Sequence, residues 1–182
     1  MRRFGLAFPL FLFLLLGSVK LSSADGPKVL NAHVVGSTPN ITIRSVPSGP
    51  APWVVQEGKA QVDSNGNVKI RVRGLLIGSG ALANGDPVPA VLVGTVGPVT
   101  MVLAALTCGG PGGGVPFTIT ETPAVTLSPQ GNFMIRAHIT LPTKCDRPII
   151  LIRAGTLGTP ASGGPFIASA APFFEKENDD EQ

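Results

Sequence analysis

Glycine and proline interrupt this chain so often that an all-α fold is excluded. The 182 residues include 23 glycines and 18 prolines, and beyond the first 24 residues they break every stretch long enough for an amphipathic helix. Apolar and polar residues instead alternate in short runs, as where Val68, Ile70 and Val72 are separated by basic residues. A period of two is typical of a strand with one face in the core. The pattern therefore predicts an all-β fold.

Short alternating runs with turn residues between them predict a single β-sandwich, Ig-like or related, of about 7–9 strands, with a β-barrel as the alternative. The run 133–141 alternates most regularly. The runs 99–107 and 149–153 are apolar throughout, as expected of strands that are covered on both faces or lie at a sheet centre. Weaker strand candidates are 29–35, 41–46, 53–62, 115–127 and 165–170.

The chain begins like an export signal. A basic start at Arg2 and Arg3 precedes an uncharged run rich in Leu and Phe, and small residues end at Ala24. The apolar run is shorter than the ~20 residues that a membrane-spanning helix needs. The sequence therefore predicts a signal peptide over 1–24, cleavage before Asp25, no membrane span after cleavage, and a secreted, periplasmic or extracellular location.

The remaining chain is predicted to hold one domain. Residues 25–40 read as a lead-in, 41–174 as the β-sandwich and 175–182 as a disordered acidic tail. Residues 26–174 carry ten Lys and Arg against five Asp and Glu, whereas 175–182 carry five acids and one Lys. The body is therefore basic, and the tail opposes its charge.

Two cysteines, Cys108 and Cys145, are the whole cysteine content of the chain. In an exported protein such a pair is predicted to form a structural disulfide. The alternative is a reactive or metal-binding thiol, but neither cysteine has a histidine near it in the sequence.

One turn motif occurs twice. Segment 63–71, with Gly66, resembles segment 128–136, with Gly131, at an offset of 65 residues. A type I turn closed by glycine in a left-handed conformation suits both copies. Each copy is therefore predicted to form a β-hairpin corner with positive φ at its glycine.

Four basic residues should point outward from two strands: Lys69, Arg71, Arg73 and Arg136. If those strands are neighbours, they form a cationic face that would bind an anionic ligand; the alternative is an ordinary solvated strand face. The chain has one Trp, no Tyr and nine Phe, too few aromatics for specific nucleic-acid binding to be expected.

No catalytic, cofactor or metal site is predicted. The sequence 63–67 starts like a calcium loop but lacks the acid that would close one, and the glycine-rich segment 109–114 is followed by a strand pattern rather than the helix of a phosphate site. His33 and His138 have no metal-ligand spacing around them. A hydrolase of an envelope or extracellular polymer remains the alternative, and it would draw on five carboxylates: Glu57, Asp63, Asp86, Glu121 and Asp146.

Several short motifs between residues 53 and 170 form a familiar set: Trp53-Val54-Val55, Val72-Arg73-Gly74-Leu75, Cys108, Leu127-Ser128-Pro129-Gln130-Gly131, the L-P-x-x-C-x-x-P segment from Leu141 to Pro148, and Phe166-Ile167-Ala168-Ser169. The set resembles small secreted all-β proteins of bacteria, notably soil bacteria, that have one disulfide and no known activity. The resemblance implies an exported β-domain with the same disulfide and transfers no site. The expected role is non-enzymatic, either structural or binding to an extracellular or envelope polymer or protein, with loops 78–87 and 155–165 as further binding candidates.

Overall fold

The computed structural model describes residues 26–109, 118–155 and 164–172. Within them the chain forms strands and loops, and eight of the twelve strands have four residues or more. The strands are β1 (Lys28–His33), β2 (Val35–Gly36), β3 (Thr42–Ile43), β4 (Val46–Pro47), β5 (Trp53–Asp63), β6 (Asn67–Ile77), β7 (Met101–Cys108), β8 (Thr118–Glu121), β9 (Val125–Thr126), β10 (Phe133–His138), β11 (Ile149–Gly155) and β12 (Phe166–Ala170).

Two antiparallel sheets pack against each other. The first, sheet A, has the order β1-β5-β6-β10, and the second, sheet B, has the order β2-β12-β11-β7-β8, with β9 also paired to β7. Neither sheet closes on itself in the described residues. The predicted β-sandwich is therefore confirmed, and the barrel alternative is wrong. None of the described segments forms a helix that is long and apolar enough to cross a membrane.

The core lies between the two sheets and follows from the alternation in sheet A. Val68, Ile70 and Val72 of β6 are almost fully buried, whereas the basic residues between them are exposed. Their side chains belong to the same buried cluster as Val102 and Ile150 of sheet B. Burying such a side chain stabilises the fold by roughly 1.5–3 kcal/mol relative to leaving it in water.

The central strands of sheet B, β7 and β11, are largely buried on both faces. Every residue of β7 after Met101 is buried, as the continuous apolar run predicted. The second face is covered by the β3–β4 hairpin, whose Val46 packs in a separate cluster with Leu103, Leu151 and Phe166. Sheet A therefore offers the one broad strand surface that faces solvent in the described structure.

The sandwich begins before residue 41. Leu30, Ala32 and Val34 are buried, and β1 pairs with β5 over its whole length. In the strand order of sheet A, β1 is an edge strand. Most of segment 25–40, predicted as a lead-in, is therefore part of the sandwich.

The disulfide joins Cys108, at the end of β7, to Cys145, in the connection that leads to β11, with a Cα–Cα distance of 4.7 Å. The predicted pairing is confirmed. Cross-linking a loop of about 38 residues stabilises the fold by roughly 4 kcal/mol in the chain-entropy model. The bond ties the beginning of the β7–β11 pairing together, where Thr107 lies opposite Ile149.

Both repeated turns have the predicted glycine conformation, with φ of 83° at Gly66 and 74° at Gly131. Their surroundings match as well. The Gly66 carbonyl accepts a hydrogen bond from the Ile139 amide just after β10, and the Gly131 carbonyl accepts one from the Leu75 amide in β6, both at 2.9 Å. Each turn therefore holds the far end of the strand that follows the other turn.

The 65-residue offset coincides with the pairing of β6 and β10. Ile70 lies opposite Ile135 in that register, and these residues are also equivalent under the offset. A local twofold axis thus passes through this pair and relates Arg71 to Arg136. The two turns lie at opposite ends of the strand pair and are related by the same axis.

The second turn is not a hairpin corner between paired strands. The first turn joins β5 to β6, which pair directly. The second joins β9, which pairs with β7 in sheet B, to β10, which pairs with β6 in sheet A. The hairpin prediction is therefore right for 63–67 and wrong for 128–132, where the same turn chemistry carries the chain from one sheet to the other.

Candidate functional site

The four basic residues singled out from the sequence lie on neighbouring strands. Lys69, Arg71 and Arg73 are on β6 and Arg136 is on β10, and Arg136 lies directly opposite Lys69. Alternation points all of them away from the core, and all four are exposed. The structure therefore brings these residues together on one side of sheet A.

A fifth cation belongs to this surface. Lys59 of β5 is exposed and lies opposite Arg71, just as Glu57 lies opposite Arg73. In β5 the charged residues Glu57 and Lys59 are exposed, and the small residues Gly58 and Ala60 are buried. This alternation of charged and small residues is visible in the sequence. It could have placed Lys59 beside Arg71 if β5 and β6 had been predicted to pair as a hairpin. We call the exposed side of β5, β6 and β10 the cationic face; its basic residues are Lys59, Lys69, Arg71, Arg73 and Arg136.

The cationic face and the neighbouring strand β1 form a regular grid. One row across the strands is Asn31, Gln61, Lys69 and Arg136, and the next is His33, Lys59, Arg71 and Met134. Strand geometry puts neighbours in a row about 4.8 Å apart and successive rows about 6.8 Å apart. The cations therefore repeat on a spacing that an extended chain with regularly placed charges can follow.

One carboxylate stands among the exposed residues of β5, β6 and β10. Glu57 lies 3.4 Å from Arg73, and the two side chains are 71% and 53% exposed. An ion pair this open to water is worth about 0–1 kcal/mol. Arg73 can therefore leave Glu57 for another anion at small cost, and the face keeps an excess of positive charge.

The cationic face is a shallow depression rather than a cleft. A volume of about 270 Å³ lies over β5 and β6, between Glu57, Lys59, Gln61 and the basic residues of β6. No tryptophan or phenylalanine is exposed among the described residues, since Trp53, Phe133 and Phe166 are all buried. A ligand held here would be recognised by charge and hydrogen bonding, not by ring stacking.

The two histidines lie on opposite sides of the cationic face, His33 on the neighbouring strand β1 and His138 on β10. His33 is opposite Lys59 at the β1 side, and His138 is opposite Asn67 at the free edge of β10. Both are exposed, as predicted for His138 from its place on the polar side of a strand. Neither contributes to a group of three or more His, Cys, Asp or Glu suited to a metal, and the described residues contain no such group.

Asp63 organises the first turn. Its Oδ1 accepts the amide hydrogens of Asn65 and Asn67, both at 2.9 Å, and its Oδ2 accepts the Asn67 side-chain amide at 2.8 Å. The side-chain bond from Asn67, followed by the backbone bonds, lowers the pKa of Asp63 from its usual value. The carboxylate is therefore committed to the turn.

The five carboxylates of the body lie in five different places. Glu57 is in the middle of β5 and Asp63 at its end, about 20 Å away by strand geometry. Glu121 ends β8 in the other sheet and accepts a hydrogen bond from Arg153 at 2.7 Å. Asp86 and Asp146 lie in loops. The three carboxylates on strands therefore do not form a facing pair of the kind that glycoside hydrolysis needs.

Two further arginines, Arg44 and Arg153, have structural partners away from the cationic face. Arg44 of the β3–β4 turn donates to the Thr107 hydroxyl at 3.0 Å and to the Arg147 carbonyl. Burial, and to a lesser extent the charge of Arg147, lowers the pKa of Arg44 from its usual value. The partly buried Arg153 donates to the Gly164 carbonyl and to Glu121.

A second depression, apolar and about 240 Å³ in volume, lies at one end of the sandwich between Trp53, Leu82, Leu92, Pro165 and Ile167. It brings together the two loops, 78–87 and 155–165, that were predicted as binding candidates. Residues 156–163 of the second loop lie outside the described structure, so we assign no ligand to this depression. The glycine-rich segment 109–114 also lies outside the described residues, except for Gly109.

No family model, curated protein or solved structure matches this chain. The resemblance to small secreted bacterial proteins therefore stays a prediction from the sequence. What the cationic face does has to be inferred from its own charge, exposure and spacing.

Proposed function

We propose that this protein is exported and acts without catalysis, by binding an anionic polymer on the cationic face. The observation that carries the proposal is the grouping of five exposed basic side chains on three adjoining strands with Glu57 as their one exposed carboxylate. Charges of one sign placed this close repel one another, and an anionic ligand relieves that repulsion.

The geometry favours an extended ligand over a compact one. Lys69, Arg71 and Arg73 follow one another along β6 at every second residue, which sets three charges over about 14 Å. Lys59 and Arg136 flank this line on either side. A linear chain carrying phosphate, sulfate or carboxylate groups would lie along β6 and meet several cations at once.

The absence of exposed aromatic rings from the described residues narrows the class further. Proteins that bind single-stranded nucleic acid combine a basic groove with aromatic stacking platforms. The cationic face has the charge without the platforms. We therefore favour an acidic polysaccharide or a phosphate-linked envelope polymer as the ligand.

Export is supported by two independent features. The basic, apolar and small residues of segment 1–24 have the order of a signal peptide, and the Cys108–Cys145 disulfide suits an oxidising compartment. Intact-mass analysis of the protein from its producing cells should show a chain that starts at Asp25 or within a few residues of it. A membrane-retained chain that still carries Met1 would contradict export with cleavage.

The binding proposal is tested with a matched pair of double variants. Arg71→Gln/Arg136→Gln removes two charges from the cationic face. Lys144→Gln/Arg147→Gln removes two exposed charges from the segment around Cys145, whose disulfide partner ends β7 in the other sheet. Fluorescence polarisation with labelled heparin fragments, polygalacturonate fragments and polyphosphate measures the affinity of each variant.

We expect the face variant to lose about tenfold or more in affinity, since each removed contact is worth roughly 0.5–1 kcal/mol and several act together. The control variant should change the affinity less than threefold. Affinity of the parent protein should fall as salt rises, because counterion release and screening govern such contacts. Equal losses in the two variants, or no binding to any of the three polymers at low salt, would refute the proposal.

A further inference from the structure

Nearly half of the acidic residues of this chain lie in one short segment near its C-terminus. Of the 11 Asp and Glu residues, five lie in the eight-residue segment 175–182, together with one Lys. The five carboxylates of the body are dispersed, and one of them stands on the face. The acidic segment and the cationic face therefore have opposite and nearly equal charge.

The chain leaves the sandwich beside the face. Ser169 of β12 lies opposite Val35 and Ala168 opposite Gly36, so the chain beyond Ala170 runs toward the end of β1. That end is His33, which lies opposite Lys59 of the cationic face. The last described residue, Pro172, therefore follows directly on a strand end that borders the β1 side of sheet A.

Segment 175–182 is long enough to cross the face. Glu181 lies nine residues beyond Pro172, and an extended chain spans about 3.3 Å per residue, or roughly 30 Å. Passing the thickness of the sandwich takes about 10 Å, and three inter-strand gaps take about 15 Å more. The acidic residues therefore reach every cation from Lys59 to Arg136.

We propose that the acidic segment 175–182 lies over the cationic face of its own chain and competes there with the anionic polymer. Because the segment is tethered, its local concentration at the face is of millimolar order, so several weak ion pairs suffice and no single bound conformation is needed. The segment then acts as a built-in competitor that polymers of high charge density displace. The competition rests on the proposed function, whereas the contact itself does not.

The test compares three chains, each of which contains the whole β-sandwich: the parent, a chain ending at Phe174, and a neutralised chain of parent length. In the neutralised chain Glu175, Glu177 and Glu181 become Gln, and Asp179 and Asp180 become Asn. The contact is measured without any polymer, by acetylation with the uncharged reagent N-hydroxysuccinimide acetate followed by peptide mass spectrometry. Lys59 and Lys69 report on the face, and exposed Lys144 is the internal control.

We expect Lys59 and Lys69 to react several-fold more slowly in the parent than in either altered chain at low salt, with Lys144 unchanged. The difference should vanish near 0.5 M salt, where the screening length is short, and should not depend on protein concentration. Equal rates in the three chains would overturn the contact, and protection that grows with concentration would mean that the segment acts on a second molecule instead.

Polymer affinity separates the two proposals. Both altered chains should bind heparin fragments or polyphosphate about five- to thirty-fold more tightly than the parent at low salt, the range expected if one to two kcal/mol of tail contact must be broken. Slower acetylation in the parent without polymer binding by any chain would retain the contact and sink the proposed function. Polymer binding with identical acetylation rates and affinities would retain the function and sink this inference.

Discussion

The two turn glycines should be far more important for stability than their conformation alone requires. A Cβ built on Gly66 lies 2.0 Å from the Ile139 carbonyl oxygen, and one built on Gly131 lies 2.4 Å from the Leu75 carbonyl oxygen. Both distances are well inside van der Waals contact with backbone that paired strands hold in place. Alanine at either position must therefore push the neighbouring strand away.

Gly94 provides the matched control. Its φ of 77° falls between those of Gly131 and Gly66, yet a Cβ built on it meets nothing within 4 Å. Gly94→Ala thus pays only for a left-handed alanine, about 1–2 kcal/mol. Gly66→Ala and Gly131→Ala have the same conformational cost. In addition they lose the hydrogen bond to Ile139 or Leu75, worth about 1 kcal/mol, and overpacking against the neighbouring strand costs about 1–3 kcal/mol more.

We therefore expect the free energy of unfolding to fall by about 3–6 kcal/mol for either turn variant and by about 1–2 kcal/mol for Gly94→Ala. Urea unfolding measures this, with the fluorescence of Trp53, the single tryptophan, as the probe. With a slope near 2 kcal/mol/M, the turn variants should unfold about 1–2 M earlier than the control variant. Midpoints of Gly66→Ala and Gly131→Ala that equal that of Gly94→Ala would refute the close-approach reasoning.

Four further outcomes are expected. Replacing Cys108 and Cys145 together by Ser should lower the free energy of unfolding by roughly 4 kcal/mol, and a loss below 1 kcal/mol in urea unfolding would contradict the loop-entropy estimate. Asp63→Asn should remove part of the acid sensitivity of folding. Because hydrogen bonding lowers the folded-state pKa of Asp63, the stability that its carboxylate contributes is present above the unfolded pKa near 3.9 and is lost as the pH falls through the lowered pKa. The difference in unfolding free energy between parent and variant, measured by urea unfolding at several pH values, should therefore narrow below about pH 4, and a constant difference would count against this prediction. Glu121→Gln should cost about 1–2 kcal/mol by weakening the contact to Arg153, while heparin affinity stays the same; a changed affinity would place Glu121 in the binding surface. Purified protein should show no turnover of polysaccharides, peptides or esters, and reproducible turnover that disappears in Glu57→Gln or His138→Gln would establish the hydrolase alternative.

The sequence predicts the strands well because the local order of apolar and polar residues indicates which side chains are buried. Alternation around Ile70 and Ile135 identifies strands with one wet face, and the continuous apolar run before Cys108 identifies a strand covered on both sides; both are observed. The positive φ of Gly66 and Gly131 was likewise predictable, since the residues around a glycine define its turn.

What the local pattern does not contain is which strands become neighbours. The second turn has the chemistry of a hairpin, yet the partner of β10 is β6, far away in the chain. For the same reason the cationic face could be named only conditionally, and Lys59 was missed, because its place beside Arg71 depends on the β5–β6 register. Long-range pairing is decided by the whole core and by chain-crossing geometry, neither of which a single segment reveals.

The strand order also constrains when the protein can complete its fold as the chain emerges in sequence. β1, β5 and β6 can assemble from the first half, but β7 finds its central partner only in β11, and the open edge of β6 waits for β10. Until residues 133–155 arrive, a long apolar strand and an unprotected sheet edge stay available to other chains. An early fragment of this protein should therefore aggregate instead of forming half a domain. A chain that crosses a membrane unfolded and folds only after release would avoid that hazard.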